Sequence, residues 1–301
     1  LGRLPAGIKN HIRTVVQILF TALTNGYARG FAEGSIFRGP SKAVCLPGLN
    51  CYSCPGSLGS CPIGSLQATL DSGQYRIAFY VSGFLLFFGA LFGRFICGWL
   101  CPFGLVQDLL YRIPFIRKMK RLPGDRWLRF LKYVILVLFV ILLPMTVLDA
   151  VGHGDPWFCK YICPSGTLFA GIPLIASNPA LQASLGFLFT WKTAILVILV
   201  LLSIIVYRPF CRYLCPLGAV YGFFNPIALY RFRIDRDKCT ECGLCRKACR
   251  MDISVFEKPN SPECIRCGDC LKACPHHAIE AGVLTKHAPS DKINCRRSKK
   301  T

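Results

Sequence analysis

The chain has 301 residues, 53% of them hydrophobic, at a mean hydropathy of +0.44, and its 36 Lys and Arg against 15 Asp and Glu give a formal net charge of +21. So much apolar surface with so few acids excludes an ordinary soluble domain, and the same apolar content excludes disorder. The 19 cysteines fall in groups, which points to metal ligation rather than to the disulfide framework of a short secreted scaffold.

Taken in chain order, Thr14–Ala28 is a short, weak membrane helix containing Gln17 and Asn25 behind the basic flank Arg3, Lys9 and Arg13. With Arg29 directly after it, it reads as an uncleaved anchor rather than a signal peptide. A loop with Cys45, Cys51, Cys54 and Cys61 follows. Three stronger spans are then expected at Tyr75–Ile96, Leu128–Leu148 and Leu185–Tyr207, each long enough to cross a hydrocarbon core of about 30 Å. Between them lie loops of unequal charge. Arg112, Arg117, Lys118, Lys120, Arg121 and Arg126 crowd one, and Arg208, Arg212, Arg231, Arg233, Arg236 and Lys238 follow the last span. The other face has only Arg29, Arg38 and Lys42 in one loop and Lys160 in the other. Positive residues favour the cytoplasm, so the termini are expected inside and the sparse loops outside.

Beyond the spans, Cys239-x2-Cys242-x2-Cys245-x3-Cys249 is followed by Cys264-x2-Cys267-x2-Cys270-x3-Cys274-Pro275. This is the bacterial two-cluster ferredoxin spacing, in which the fourth cysteine of each run crosses to the other cluster. The expected ligand sets are therefore Cys239, Cys242, Cys245 and Cys274 for one [4Fe–4S] cluster, and Cys264, Cys267, Cys270 and Cys249 for the other. Arg250 stands where the first run would have proline and is expected to alter a local turn more than ligation. Structural zinc is the competing reading, and the doubled pattern disfavours it.

Four Cys-Pro-x-Gly elements form a second repeat, at Cys61, Cys101, Cys163 and Cys215. Three have another cysteine four residues upstream, at Cys97, Cys159 and Cys211, so that each pair shares one face of a helical turn. Proline is expected to stop that turn and glycine to let the chain bend back. Arg94–Gly104 and Arg208–Gly218 match as Arg-x2-Cys-x3-Cys-Pro-x-Gly, which suggests two pseudo-symmetric halves. Span parity places Cys97, Cys101, Cys211 and Cys215 at the cytoplasmic edge, the right number for a third cubane. At the outer edge, Cys159 and Cys163 take partners from Cys51, Cys54 and Cys61, with Cys45 as the spare. Disulfides compete there, because that compartment can be oxidising. Cys295 reads as an incidental thiol in a basic tail.

The expected fold class is mostly α: a polytopic membrane protein of about four transmembrane helices carrying a small α+β bacterial two-cluster ferredoxin domain. The transmembrane part covers residues 1–230, the ferredoxin domain 231–284 and the tail 285–301. At Cys97–Gly104 and Cys211–Gly218, followed by the ferredoxin module, the chain resembles the NapH/NosR-type family of membrane iron–sulfur proteins. Val44–Gly56 resembles a subgroup of 4Fe-4S binding membrane proteins from anaerobes. The resemblance implies membrane-bound electron transfer, often between the quinone pool and a reductase. The third pair, Cys159 and Cys163, departs from the simple two-pair pattern.

These readings converge on an integral protein of the cell membrane that carries electrons between a cytoplasmic ferredoxin head and clusters at the membrane edges, as a subunit of a redox complex rather than a standalone enzyme. Phe95, Trp99, Trp157 and Phe158 are candidates to insulate the clusters. One alternative is a quinone-linked oxidoreductase subunit using Asp149, His153 and Asp155 for protons. Another is a metal-handling or assembly protein, or a redox sensor. Redox partner proteins and membrane lipid are the expected partners. Nucleic acid is not, because the positive charge sits in membrane-flanking loops where anionic lipid accounts for it.

Overall fold

Pro144 has no N–H to give to the turn before it, and the long helix Asp125–Thr146 carries a π-helical stretch, Leu136–Leu142, on its N-terminal side. The computed structural model describes residues 6–71, 75–114, 118–147, 154–183 and 185–283. Asp149, His153 and Cys295 lie outside the described residues. Asp125–Thr146 and Phe187–Ile205 are long and apolar enough to cross a membrane, with mean hydropathies of 2.3 and 2.4. Much of their apolar surface points outward, including Val137, Ile141, Leu142, Val197, Ile198 and Leu201. Ile12–Thr24 and Phe79–Phe92 are shorter apolar stretches, inside helices Ala6–Thr24 and Tyr75–Phe92.

Two of the expected spans therefore end early. Tyr75–Ile96 is cut at Gly93, which is left-handed (φ 51°) and has no room for a side chain, since a Cβ there would lie 2.5 Å from Asn225 Oδ1. A separate short helix, Phe95–Trp99, then carries Cys97. Thr14–Ala28 ends at Thr24, and another short helix begins at Ala28.

One apolar core runs through this helical part. It contains Cys45, Cys61, Cys97, Cys101, Cys163, Cys211 and Cys215 together with Ile63, Phe103, Phe158, Phe210 and Tyr221. The ferredoxin region has its own core around Phe232, Met251, Val255 and Ile265. Strand Arg231–Ile234 pairs antiparallel with Ile279–Gly282, Phe232 opposite Ala281. Short helices Leu244–Ala248 and Asp269–Ala273 follow left-handed Gly243 and Gly268.

The two parts are locked by buried polar groups. Asn225 donates to the carbonyls of Ser261 and Cys264 at 2.8 and 2.7 Å. Arg266 donates to the carbonyls of Phe92 and Asn225, and Trp99 Nε1 donates to the Arg266 carbonyl. Glu263 sits between Arg94 and Lys132, all three buried. Burial alone would raise the Glu263 carboxyl, but the two cations outweigh it and hold it down at about 2. Neutralising Glu263 would leave two buried cations without a counter-charge.

Candidate metal centres

Each half of the ferredoxin sequence closes its cysteine loop with a helix too short to bury anything alone, so the halves pack together and exchange their last cysteine. One recess, of about 360 Å³, is lined by Cys239, Cys242, Cys245 and, from the other half, Cys274. A second, of about 290 Å³, is lined by Cys264, Cys267, Cys270 and the crossing Cys249. Cys242 is exposed, so the first recess faces solvent, whereas Cys264 and Cys270 are buried beside the helical part. Arg250 ties the halves together through Asp269 (3.4 Å) and lies over the Tyr207 ring at 5.5 Å. In this chain the residue at the proline position is thus a docking group.

The four thiols of Cys97, Cys101, Cys211 and Cys215 are near enough to interact electrostatically. Cys97 and Cys211 sit in one-turn helices, Phe95–Trp99 and Pro209–Tyr213. Cys101 and Cys215 are extended N-caps of the next helices, Pro102–Arg112 and Pro216–Phe224. The proline therefore begins a helix at N1 instead of merely ending a turn. A thiolate at that N-cap gains from the helix dipole. At Cys215 the cap is closed by the Gly218 N–H, which donates to the cysteine sulfur at 3.4 Å.

The glycines have a use other than bending. Arg208 donates to the Cys97 carbonyl, and Arg94 to the Cys211 carbonyl at 2.7 Å, so each half's arginine clamps the other half's cysteine. A Cβ on Gly104 would lie 3.3 Å from the Arg208 guanidinium, and one on Gly218 3.3 Å from that of Arg94. A side chain there would crowd these guanidiniums and the carbonyls they hold. Asp108 neutralises buried Arg208 with both oxygens and also pairs with Arg13 at 3.0 Å.

The same plan recurs around Cys51, Cys61, Cys159 and Cys163, whose thiols interact with one another. Lys192, which interrupts an otherwise apolar helix, donates to the Cys159 carbonyl at 3.1 Å, and Lys42 donates to the Ser57 carbonyl at 2.7 Å. Ser57 occupies the position of the missing upstream cysteine. Cys51 Sγ instead comes to 3.7 Å from the Cβ position of Gly166. The buried Cys54 thiol lies 3.7 Å from Asn25 Oδ1 and within electrostatic reach of Cys51 alone of the set, and Cys45 lies 3.9 Å from Ser60 Oγ.

Parity counting put these two sets at opposite faces, yet one loop reaches both. Gly48 packs on Cys101 and Pro102, where its Cβ would meet the Cys101 Cα at 3.1 Å. Tyr221, fully buried, donates from its hydroxyl to the Pro47 carbonyl at 3.0 Å. That hydroxyl interacts electrostatically with Cys97 and Cys101 and also with Cys61 and Cys45. Arg13, beside Asp108, and Asn25, beside Cys54, are about 18 Å apart at the helical rise. Tyr221 lies within electrostatic reach of cysteines of both sets, which a full hydrocarbon core of about 30 Å between them would not allow.

Every described cysteine is a free thiol, so the disulfide alternative finds no pair among the described residues. Nor do three or more His, Cys, Asp or Glu side chains among them converge to hold a single ion. In the ferredoxin region the thiols line recesses rather than converge on a point, which suits a multi-iron cluster better than zinc, whose sulfur ligands stand about 2.3 Å from one centre. Burial pushes the Cys61 thiol up to about 12 and those of Cys163 and Cys211 up to about 11. Thiolates at such sites require strong local positive charge, which iron supplies. Beside Cys163, the buried hydroxyls of Ser165 and Thr167 have no hydrogen-bond partner among the described residues, a deficit that acceptor sulfurs would relieve.

Two family profiles, each described as a 4Fe-4S binding domain, match the chain. One matches three times, at residues 75–123, 131–175 and 188–236, and the other twice, at 232–253 and 259–280. The chain is 29% identical to uncharacterized protein MJ0749 of Methanocaldococcus jannaschii over 66% of this chain and 68% of that one. It is 28% identical to ferredoxin-type protein NapH of Haemophilus influenzae, over 58% and 53% of the two chains. To regulatory protein NosR of Pseudomonas aeruginosa it is 30% identical, over 54% and 21%. The chain belongs to the polyferredoxin family of NapH and NosR. Its matched segments are 4Fe-4S binding domains of ferredoxin type. No solved structure matches it.

Cys159 and Cys163 lie within the middle of the three matches, residues 131–175. Of the residues that a quinone-linked reading would use, Asp155 pairs with Lys160, and Asp149 and His153 lie outside the described residues. Sequence reasoning missed Gln67 and Gln107. Each stands six residues after a Cys-Pro cysteine and touches a thiol of the opposite element. The repeat Cys-Pro-x-Gly-x2-Gln, read three residues further, would have exposed them.

Proposed function

We propose that this polyferredoxin is a membrane-integral electron conduit with four [4Fe–4S] sites in a line. The line runs from Cys239, Cys242, Cys245 and Cys274 to Cys249, Cys264, Cys267 and Cys270, then to Cys97, Cys101, Cys211 and Cys215, and last to Cys51, Cys61, Cys159 and Cys163. When bound, each cluster supplies a one-electron carrier whose potential depends on burial and on hydrogen bonds to its sulfurs. The residues of the chain order the sites, exclude water and set the spacing between them.

The observation that carries this reading is the continuity of contacts. Ile265, between Cys264 and Cys267, rests its carbonyl on Gly98, next to Cys97. Arg94 joins Glu263 to the Cys211 carbonyl, and Tyr221 with Pro47 and Gly48 connects the last two sets. Exposed Cys242 marks the end open to a soluble partner. The outward apolar faces of Asp125–Thr146 and Phe187–Ile205, with the shorter Ile12–Thr24 and Phe79–Phe92, favour about four membrane helices. The basic loops favour a multi-pass protein of the cell membrane with its ferredoxin head in the cytoplasm.

Cluster-loaded protein in liposomes, heads outward, should pass electrons from dithionite-reduced ferredoxin outside to ferricyanide trapped inside. Trapped ferricyanide reduced no faster than in protein-free liposomes would refute the conduit.

A further inference from the structure

Two buried glutamines that are not ligands meet the two membrane-edge sets in the same way. Gln107 Nε2 donates to Cys211 Sγ at 3.1 Å and to the Phe103 carbonyl at 3.4 Å, while its Oε1 accepts the Phe210 N–H at 3.2 Å. Gln67 Nε2 donates to Cys159 Sγ at 3.3 Å and to the Ile63 carbonyl at 3.2 Å, and its Oε1 accepts the Phe158 N–H at 3.0 Å. Both side chains are essentially inaccessible, at 1% and 0% exposure. The Phe N–H fixes the amide oxygen, the carbonyl four residues back takes one amide proton, and the other proton is left to the sulfur.

The arrangement is also selective. At the equivalent position after Cys163 and Cys215 stand Phe169 and Tyr221, neither able to donate an amide. Each set therefore receives one amide donor, always on the first thiol of the pair supplied by the opposite element. Holding the Phe backbone needs only an acceptor; the donor to sulfur serves no packing purpose.

We propose that Gln107 and Gln67 are positioning residues that raise the reduction potential of the cluster held by the Cys97 set and the Cys51 set respectively. This rests on reading both sets as [4Fe–4S] sites. The physical basis is that a hydrogen bond to a ligand sulfur stabilises the more negative, reduced state more than the oxidised one.

The test is a redox titration of the full chain, with dithionite donating one electron per cluster and EPR following each signal. In Gln107→Leu the reduced-to-oxidised ratio of one cluster should fall about tenfold at fixed potential, 59 mV for a one-electron couple. The other three should stay, and Gln67→Leu should move a different one. Gln107→Glu keeps the acceptor for Phe210 but turns an anionic oxygen toward Cys211, and should shift the same signal further down. Unmoved midpoints in the Glu variants would mean a structural role and overturn the proposal. Should the variants lose iron, the parent decides: protein carrying side-chain-amide 15N-glutamine should show 15N coupling at two reduced clusters by pulsed EPR. Coupling at none overturns the proposal. A parent with iron for two clusters only would instead sink the reading of the sets.

Discussion

Gly98→Ala is expected to detach the ferredoxin head from the membrane-edge site while leaving the head's own cysteine recesses intact. A Cβ at Gly98 would lie 2.3 Å from the Ile265 carbonyl oxygen, and a backbone atom inside a cysteine loop cannot swing aside as a side-chain tip can. The segment from Ser261 to Cys267 has to lift. Lifting it breaks the Asn225 bonds to Ser261 and Cys264, the Trp99 bond to Arg266 and the Arg94–Glu263–Lys132 cluster. Separating a buried ion cluster of this kind costs about 3–5 kcal/mol. At 1.4 kcal/mol per tenfold, about 3 kcal/mol raises the undocked population about a hundredfold. Limited proteolysis between Asn225 and Arg231, the connection held to Ala90 and Leu91, should therefore release the head from Gly98→Ala far faster than from the parent, with iron per chain unchanged. An unaltered cleavage rate would contradict the docking geometry.

Cys51→Ala and Cys54→Ala should differ sharply although the residues are three apart. Cys51 shares its electrostatic neighbourhood with Cys61, Cys159 and Cys163, whereas Cys54 faces Asn25. The expected loss is about four Fe per chain for Cys51→Ala and none for Cys54→Ala. Equal losses, or a loss confined to Cys54→Ala, would contradict the assignment of the fourth thiol. Spacing could not decide between them, because both lie on one loop and either can reach the set on paper.

The ferredoxin module was legible in the sequence because its ligands are local: each run of cysteines closes on itself, and only the last crosses. The paired halves Arg94–Gly104 and Arg208–Gly218 were legible for the same reason. What those arginines touch was not, since Arg94 serves Cys211 and Arg208 serves Cys97 across more than a hundred residues. Hydropathy marked Lys192 as an interruption, and only its bond to the Cys159 carbonyl explains why a cation sits there. Counting spans orders loops by side but carries no depth, so it could not foresee Gly48 folding in onto Cys101.

The central claim is four cluster sites on one chain. Iron and acid-labile sulfide per chain, measured on anaerobically purified, detergent-solubilised protein, test it most directly. About 16 of each is the predicted result. About 8 of each would contradict it, because only the ferredoxin head would then carry clusters.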